Sequence, residues 1–166
     1  MNLTTPRLTV RDLSLEDSKF ILELLTSPTW LEFIGDRGVH KLGDAEGYIA
    51  RIRDGYARFG FGLCLVQLRD GAKIGLCGLI QRDNLPDVDI GFALLPRFAG
   101  HGLALEAAWA TLEYARDTLK LSRLAGITTP DNTRSIRLLE TLGLRFERTV
   151  KLEPDDVNLN YYALDL

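Results

Sequence analysis

The sequence of 166 residues predicts a single domain, residues 1–166, because a chain of this length buries roughly 70% of its unfolded surface when it folds. Its apolar content of 46% and charged content of 26% are typical of a globular protein, and its net charge of −3 argues against binding nucleic acid, since such surfaces are usually basic. No apolar run approaches 18 residues and no signal peptide precedes the first strand, which predicts a cytoplasmic protein that does not enter a membrane.

The first third of the chain is expected to hold one strand followed by helices. Leu8 to Arg11 alternates apolar and polar residues, which is typical of a half-buried strand. A capping-box-like start predicts a helix from Ser14 to about Leu25, and a short helix is expected from Trp30 to Ile34. Asp44 is expected to cap a further helix that ends near Phe59. We assign its aromatic stripe to the core rather than to a ligand pocket: Tyr48, Ile49, Ile52, Tyr56 and Phe59.

A β-hairpin is predicted next, with arms from Gly62 to Leu68 and from Lys73 to Gln81 around an Asp70-Gly71 turn. This register places Cys64 opposite Cys77, and in a cytosolic sheet two reduced thiols are favoured over a disulfide bridge or a redox pair. The two cysteines and two histidines form no clustered Cys/His pattern, so no metal site is expected.

The second half of the chain alternates between strands and helices. Strands are predicted at 88–94, 123–128, 144–151 and 158–164, and helices at 103–119 and from Asn132 to Gly143. The buried stripe of the first of these helices is expected to hold Leu105, Ala108, Trp109, Leu112 and Leu119. The order of elements predicts an α+β fold, in which a mixed, mostly antiparallel sheet of about seven strands contains one central parallel pair and carries flanking helices.

The segment between the strand 88–94 and the helix 103–119 is the strongest candidate for a functional site. It contains Gly100 and Gly102, and because glycine has no Cβ, such a loop can aim several backbone N–H groups at one point. The first N–H groups of the helix lack internal partners, and the helix dipole adds about half a positive charge there. The loop therefore predicts a site for a phosphate-like anion, although glycines needed only for a tight turn explain the pattern equally well.

This loop resembles the Arg/Gln-x-x-Gly-x-Gly/Ala pyrophosphate loop of the GNAT superfamily of acyl-CoA N-acyltransferases, with Arg97, Gly100 and Gly102 at the matching positions. Three further segments, in the order that this family has, are similar to its RimJ/RimL-type branch, and the likeness covers nearly the whole chain. They are the opening 5–8, the strand segment 89–92, and the segment 130–144 with its Asn-x-x-Ser start, where Leu144 replaces the usual phenylalanine.

The resemblance implies acetyl-CoA as co-substrate, a direct transfer to an amine, and no metal. The diphosphate of coenzyme A would lie against the loop, with backbone N–H groups from Ala99 to Ala104 as donors and Arg97 or His101 as side-chain partners. The pantetheine arm would pair with the open end of the strand 88–94. Asn132 is either a helix cap only or also a cofactor contact. The expected cofactor-binding residues are Leu94, Arg97, Ala99, Gly100, His101, Gly102, Leu103, Ala104 and Asn132.

Two residues are candidates for proton transfer. Asp89 is the candidate general base, but a strand carboxylate paired with a neighbouring arginine explains it at least as well. On the resemblance, Ser135 is the candidate for protonating the departing thiolate, and its alternative is an ordinary serine in the first turn of a helix. The tyrosine that many relatives have one turn later is missing, since Leu138 and Leu139 stand there. Backbone N–H groups near Phe92 to Leu94 are expected to stabilise the developing oxyanion.

The sequence thus predicts an acetyl-CoA-dependent N-acetyltransferase whose acceptor is a protein N-terminal α-amine or a small primary amine. The alternatives are an acyl-CoA-binding or sensing module without catalysis, and a plain structural domain. The acceptor is expected to enter past residues 30–60 and the loop 152–158. No nucleic acid or membrane partner is expected, and both a monomer and a homodimer are compatible with the sequence.

Overall fold

The computed structural model describes residues 1–153 and 156–166, which form one mixed sheet with helices packed on both faces. The strands in these residues are β1 (Leu3–Thr4), β2 (Leu8–Arg11), β3 (Leu63–Leu68), β4 (Lys73–Ile80), β5 (Asp89–Leu94), β6 (Arg123–Thr128), β7 (Arg145–Leu152) and β8 (Val157–Asp165). The helices are α1 (Ser18–Leu25), α2 (Pro28–Phe33), α3 (Leu42–Phe59), α4 (Leu103–Asp117) and α5 (Thr133–Leu142).

The sheet has the order β1-β2-β3-β4-β5-β6-β8-β7, and β5 and β6 are parallel where the other neighbours are antiparallel. The α+β class and the central parallel pair are therefore confirmed. The expected strand number of about seven misses β1, since two residues give too short a pattern for period-two alternation to be visible. The helix α4 connects the parallel pair, so its first turn lies at the carboxyl end of β5.

Two apolar clusters cover the two faces of the central strands. In β3, Leu65 packs with α1, α2 and α3, whereas its neighbours Cys64 and Val66 pack with α4 and α5 on the opposite face. This alternation follows from the period of a strand, in which successive side chains point to opposite faces. The predicted hairpin register is also confirmed, because Cys64 pairs with Cys77.

Two helix predictions are wrong in detail. Asp44 is not the N-cap of α3 but lies one turn inside it, where its carboxylate accepts the N–H groups of His40 and Lys41 at 3.1 and 3.2 Å. The buried stripe of α4 is rotated from the predicted one, so that Trp109 is 41% exposed. The small side chains Ala107 and Ala115 face the sheet instead, since they let the helix approach the strands closely.

Candidate functional site

The parallel strands β5 and β6 separate immediately after they meet. Asp89 pairs with Ala125, whose N–H donates to the carbonyl of Val88 at 2.9 Å, and within the described residues no later pair joins the two strands. β5 stays paired with β4 up to Leu94. The far edge of β5 is therefore open beyond Asp89.

The register of β5 tells which backbone groups face this opening. The N–H of Leu95 donates to the carbonyl of Ile74 at 2.8 Å, on the side of β4. Because the backbone groups of successive residues alternate between the two edges of a strand, those of Phe92 and Leu94 point away from β4, into the opening. The structure thus provides the open main-chain edge that the sequence predicted at Leu94, and it places the N–H of Phe92 on the same edge.

The glycine loop follows a 3-10 turn, Pro96–Phe98, and leads directly into α4. Gly100 and Gly102 have φ of +82° and +74°, a region that other L-residues rarely adopt. The carbonyl of Gly102 accepts the N–H of Glu106 at 3.0 Å and so begins the helix. In the part of the chain that the structure describes, the N–H groups of residues 100–105 have no acceptor. They form the donor cluster that an anion requires.

Three of the predicted loop residues have other partners or lie outside the cleft lining in the structure. The N–H of Ala99 already donates to the carbonyl of Pro96 at 3.2 Å, so it does not belong to the free donors. The Arg97 side chain is 59% exposed and pairs with Glu23 at 2.8 Å, outside the cleft. The His101 side chain is exposed and also lies outside the cleft lining. In the structure the free donors that the loop presents are therefore main-chain N–H groups.

A cleft of about 1470 Å³ runs from this loop, along the open edge of β5, to α2 and α3. Gly100, Gly102, Leu103 and Ala104 line one end. The assignment of the aromatic stripe of α3 to the core holds for Tyr48 and Ile52, which pack against the core and also line the opposite end of the cleft, whereas Phe59 lines the cleft and is 38% exposed. Ile49 is buried in the core as predicted.

The expected acceptor entrance forms the wall of this opposite end. Trp30 and Phe33 of α2 line the cleft together with Leu152, Glu153 and Val157 from the β7–β8 hairpin. Of the expected loop 152–158, residues 154 and 155 lie outside the described residues. The two ends of the cleft thus differ in chemistry: backbone N–H groups surround the loop end, and aromatic side chains surround the other.

Asp89 lies at the first residue of β5, where the strands separate, and it lines the cleft. Its side chain is 1% exposed, and its Oδ1 pairs with the Nε of Arg82 at 3.0 Å. Burial raises the pKa of Asp89, and the Arg82 guanidinium offsets only part of that effect. The predicted arginine pairing exists, and the carboxylate nevertheless has the raised pKa that suits a general base.

Ser135 and Asn132 lie together at the start of α5, on the cleft. The Asn132 side chain accepts the N–H of Ser135 at 3.2 Å, so the predicted cap is confirmed. The Ser135 hydroxyl is half-buried and has no hydrogen-bond partner in the described part of the chain. It is therefore available to a molecule in the cleft.

Two further polar side chains line the cleft, of which the sequence analysis did not name Thr129 and assigned Tyr48 to the core only. The Oγ1 of Thr129 is buried and has no hydrogen-bond partner among the residues that the structure describes. Thr129 directly follows β6, across the opening from β5. Tyr48 lines the far end, and burial raises its pKa to about 12, so its hydroxyl stays protonated. In the sequence, Thr129 directly follows a predicted strand and precedes Pro130. Residues at the carboxyl ends of parallel strands often contact ligands, so the sequence contained a signal for Thr129.

The cysteines do not provide a nucleophile. Both are buried and free, and burial raises the pKa of Cys64 to about 12 and that of Cys77 to about 11. Almost no reactive thiolate is present at neutral pH. Within the described residues, no group of three His, Cys, Asp or Glu side chains is arranged to hold a metal ion. No helix in these residues has both the length and the apolar character needed to cross a bilayer.

The donor set fits coenzyme A on three observations. The N–H groups of residues 100–105 match a diphosphate, the open β5 edge at Phe92 and Leu94 matches the amides of an extended pantetheine arm, and the unpaired Oγ1 of Thr129 faces the same cleft. A buried hydroxyl without a partner costs folding free energy, so a ligand that pairs with it gains that amount on binding.

The family described as "Acetyltransferase (GNAT) domain" matches residues 7–145 of the chain. The chain is 31% identical over 152 residues to the uncharacterized N-acetyltransferase p20 of Bacillus licheniformis, covering 87% of this chain and 83% of that protein. It is 33% identical over 85 residues to the uncharacterized protein YkkB of Bacillus subtilis, but that match covers only 49% of YkkB.

Solved structures have the same fold. An acetyltransferase from Agrobacterium tumefaciens str. C58 has a TM-score of 0.85 at 26% identity and covers 100% of this chain and 95% of its own. A structure of RimL, a ribosomal L7/L12 alpha-N-protein acetyltransferase in complex with coenzyme A, has a TM-score of 0.85 at 18% identity, with 100% of this chain and 98% of that chain covered.

Proposed function

Since the chain belongs to the GNAT family of acetyltransferases, we propose that it transfers the acetyl group of acetyl-CoA directly to a primary amine. The observation that carries this proposal is the row of unpaired N–H groups at residues 100–105, which opens α4 beside the free edge of β5. The RimL structure contains coenzyme A in the same fold, which supports the choice of co-substrate. The acceptor is a protein N-terminal α-amine or a small-molecule amine.

Different residues around the open edge of β5 have different proposed roles in the transfer. Acetyl-CoA supplies an activated acyl group whose thioester oxygen becomes negative as the amine attacks. In this proposal the N–H of Phe92 donates to that oxygen; its direction away from β4, into the opening, supports this role. In this proposal the Ser135 hydroxyl protonates the leaving thiolate; its position in the first turn of α5 supports this, because the helix dipole there favours negative charge.

Asp89 is the proposed base that removes a proton from the amine. An α-amine with a pKa of about 7.8 is roughly one-seventh neutral at pH 7, whereas less than about one in a thousand lysine side chains is neutral. An α-amine therefore needs only a weak base. A buried carboxylate with a raised pKa fits this need better than a fully solvated one.

The second candidate function is a module that binds acyl-CoA without turnover. It is favoured by the ion pair that commits Asp89 to Arg82 and by the leucines at positions 138 and 139, where many relatives have a tyrosine. The two functions are separated by thiol release from acetyl-CoA, measured with a panel of N-terminal peptides and small amines, with the acetylated product identified by mass spectrometry. Release above background identifies an enzyme. Coenzyme A binding with background release for every amine identifies a sensor.

The diphosphate placement is tested by Gly102→Val. Because Gly102 has φ of +74°, a β-branched residue shifts the loop and misaligns its N–H groups, and we expect the Kd for acetyl-CoA to rise at least tenfold in calorimetry. Gly71→Val is the matched control, since Gly71 has φ of +95° in the β3–β4 turn, remote from the cleft. Both variants are expected to lose a similar amount of stability. Equal affinity in the wild type and Gly102→Val contradicts the placement.

A further inference from the structure

The opening segment of the chain is tied to the start of α4 by a compact set of hydrogen bonds. Glu106, in the first turn of α4, accepts the Arg7 Nε at 2.6 Å, the Arg7 backbone N–H at 2.9 Å and the Thr5 hydroxyl at 2.6 Å. The Arg7 Nη1 also donates to the carbonyl of His101 at 2.9 Å, inside the glycine loop. One guanidinium therefore joins the loop to the helix that follows it.

The bond to the His101 carbonyl orients the loop. A trans peptide unit is planar, with its carbonyl and its N–H pointing in opposite directions. When Arg7 holds the carbonyl of His101, the N–H of Gly102 is directed to the side away from Arg7. Gly102 borders the main cleft on one side and, on the other, a surface groove that Arg7 also lines. Arg7 thus acts from behind the loop and does not itself line the cleft.

Charge gives Arg7 a second effect at the same place. Glu106 is a carboxylate in the first turn of the helix whose start would receive a diphosphate, and two like charges there repel each other. Burial acts to raise the pKa of Glu106, but the hydrogen bonds from Thr5 and Arg7 outweigh it and lower the pKa overall. The carboxylate therefore stays ionised at neutral pH, and the Arg7 guanidinium compensates its charge.

We propose that Arg7 is a positioning residue for coenzyme A: with Glu106 as its anchor, it fixes the His101–Gly102 peptide so that the loop N–H groups face the diphosphate. This role rests on the proposed function of the loop. It requires the fork geometry of arginine, because the Nε and the Nη1 are used at the same time, and a lysine has only one nitrogen. The pair contributes little to stability, since the Arg7 side chain is 50% exposed.

The test compares Arg7→Met and Arg7→Lys with Arg69→Met. Arg69 is the matched control, because its Nη1 donates to the Thr5 carbonyl at 3.0 Å and so holds the same segment without a bond to the loop. The Kd for coenzyme A is measured by calorimetry, kcat and KM by thiol release, and the folded fraction by circular dichroism. We expect both Arg7 variants to raise the Kd and the KM for acetyl-CoA about tenfold, with kcat at saturation within about twofold of the wild type. Arg69→Met should leave all three constants unchanged.

Several results would overturn the role of Arg7. Wild-type affinity in both Arg7 variants, while Gly102→Val binds weakly, leaves the proposed function intact and removes Arg7 from it. An equal loss in Arg69→Met attributes the effect to the opening segment as a whole. If Arg7→Lys keeps wild-type affinity for coenzyme A while Arg7→Met loses it, the positive charge of residue 7 explains the effect and its positioning role is refuted. If Arg7→Met does not fold, Arg7→Lys decides the question. A wild-type protein that binds no coenzyme A overturns both the proposed function and this role.

Discussion

Two aspartates are both shielded from solvent, yet the protein surrounds them differently. Asp17, in the 3-10 turn before α1, is 0% exposed and receives hydrogen bonds or ion pairs from Arg11, Lys73 and the N–H of Ser14. Asp89, at the start of β5, is 1% exposed; its Oδ1 pairs with Arg82, and its own backbone N–H also contributes a hydrogen bond. Burial acts to raise both pKa values, but the donors around Asp17 lower its pKa to about 2, whereas the pKa of Asp89 stays raised.

The difference shows that burial alone does not tell what a carboxylate does. Asp17 has enough donors to stabilise its charged form, so folding gains free energy from its ionisation. Asp89 has too few, so the fold bears part of the cost of its burial, in the place where β5 and β6 separate. A buried group whose ionised form the fold disfavours is the better candidate for a catalytic role. Of the five predictions that follow, the first three test this contrast and the last two test the cleft around Asp89.

The largest effect is expected from Asp89→Asn. If Asp89 is the general base, its loss lowers kcat/KM at least a hundredfold, by about the contribution of a positioned base. A raised pKa in the folded state stabilises the protein below the ordinary pKa of 3.8, and this contribution is lost as pH rises through the folded value. At pH 7 the variant should therefore be no less stable than the wild type in urea. A hundredfold loss of activity accompanied by clear destabilisation contradicts the assignment.

Arg82→Gln tests whether Asp89 is the group whose ionisation limits kcat/KM. It removes the cation that lowers the pKa of Asp89, so the acidic limb of the kcat/KM profile should move to higher pH. An unmoved limb means that another group titrates.

Asp17→Asn should have the opposite phenotype. The lowering of the Asp17 pKa from 3.8 to about 2 corresponds to about 2 kcal/mol of stability at pH 7, which the wild type loses as pH falls from about 4 to about 2. The variant should lose this amount at pH 7, and the difference from the wild type should shrink towards pH 2. Its kcat/KM should not change. Urea unfolding at several pH values measures this, and a loss below about 0.5 kcal/mol would be that of an ordinary surface substitution.

Ser135→Ala should lower kcat about tenfold if the hydroxyl protonates the thiolate, a smaller effect than that of Asp89 because a thiolate leaves readily. The Kd for coenzyme A should change little, and Asn132 should still cap α5 through the backbone N–H of residue 135. An unchanged rate constant of acetyl transfer in pre-steady-state measurements identifies Ser135 as an ordinary serine of the first helical turn.

The smallest effect is expected from Thr129→Val. It removes a buried hydroxyl that has no partner, so the free protein should be as stable as the wild type or more stable, while the Kd for coenzyme A rises about threefold. Thr111→Val is the control, because the buried Thr111 hydroxyl donates to the carbonyl of Ala107 at 2.9 Å. It should lower stability and leave the Kd unchanged. If both variants behave alike, Thr129 is not part of the binding site.

Local patterns in the sequence were sufficient for most of the elements and for the glycine loop. Gly100 and Gly102 have the positive φ that their residue type suggested, and Asn132 and Gly143 cap the two ends of α5 as predicted. These features depend on neighbours within a few residues, which a sequence displays directly. The orientation of Arg97 towards Glu23 is not a local feature of the sequence, since those residues are 74 positions apart.

What the sequence determined by itself was the α+β class, the position of the loop and its likeness to the GNAT family. The tertiary structure decided which backbone groups of β5 are open, that the aromatic stripe of α3 is divided between core and cleft, and that Arg7 reaches the loop from a segment 94 residues earlier. The physical reason is that caps, turns and periodicity are local properties. The pairing of strand edges and the charge around a buried carboxylate depend on groups that only folding brings together.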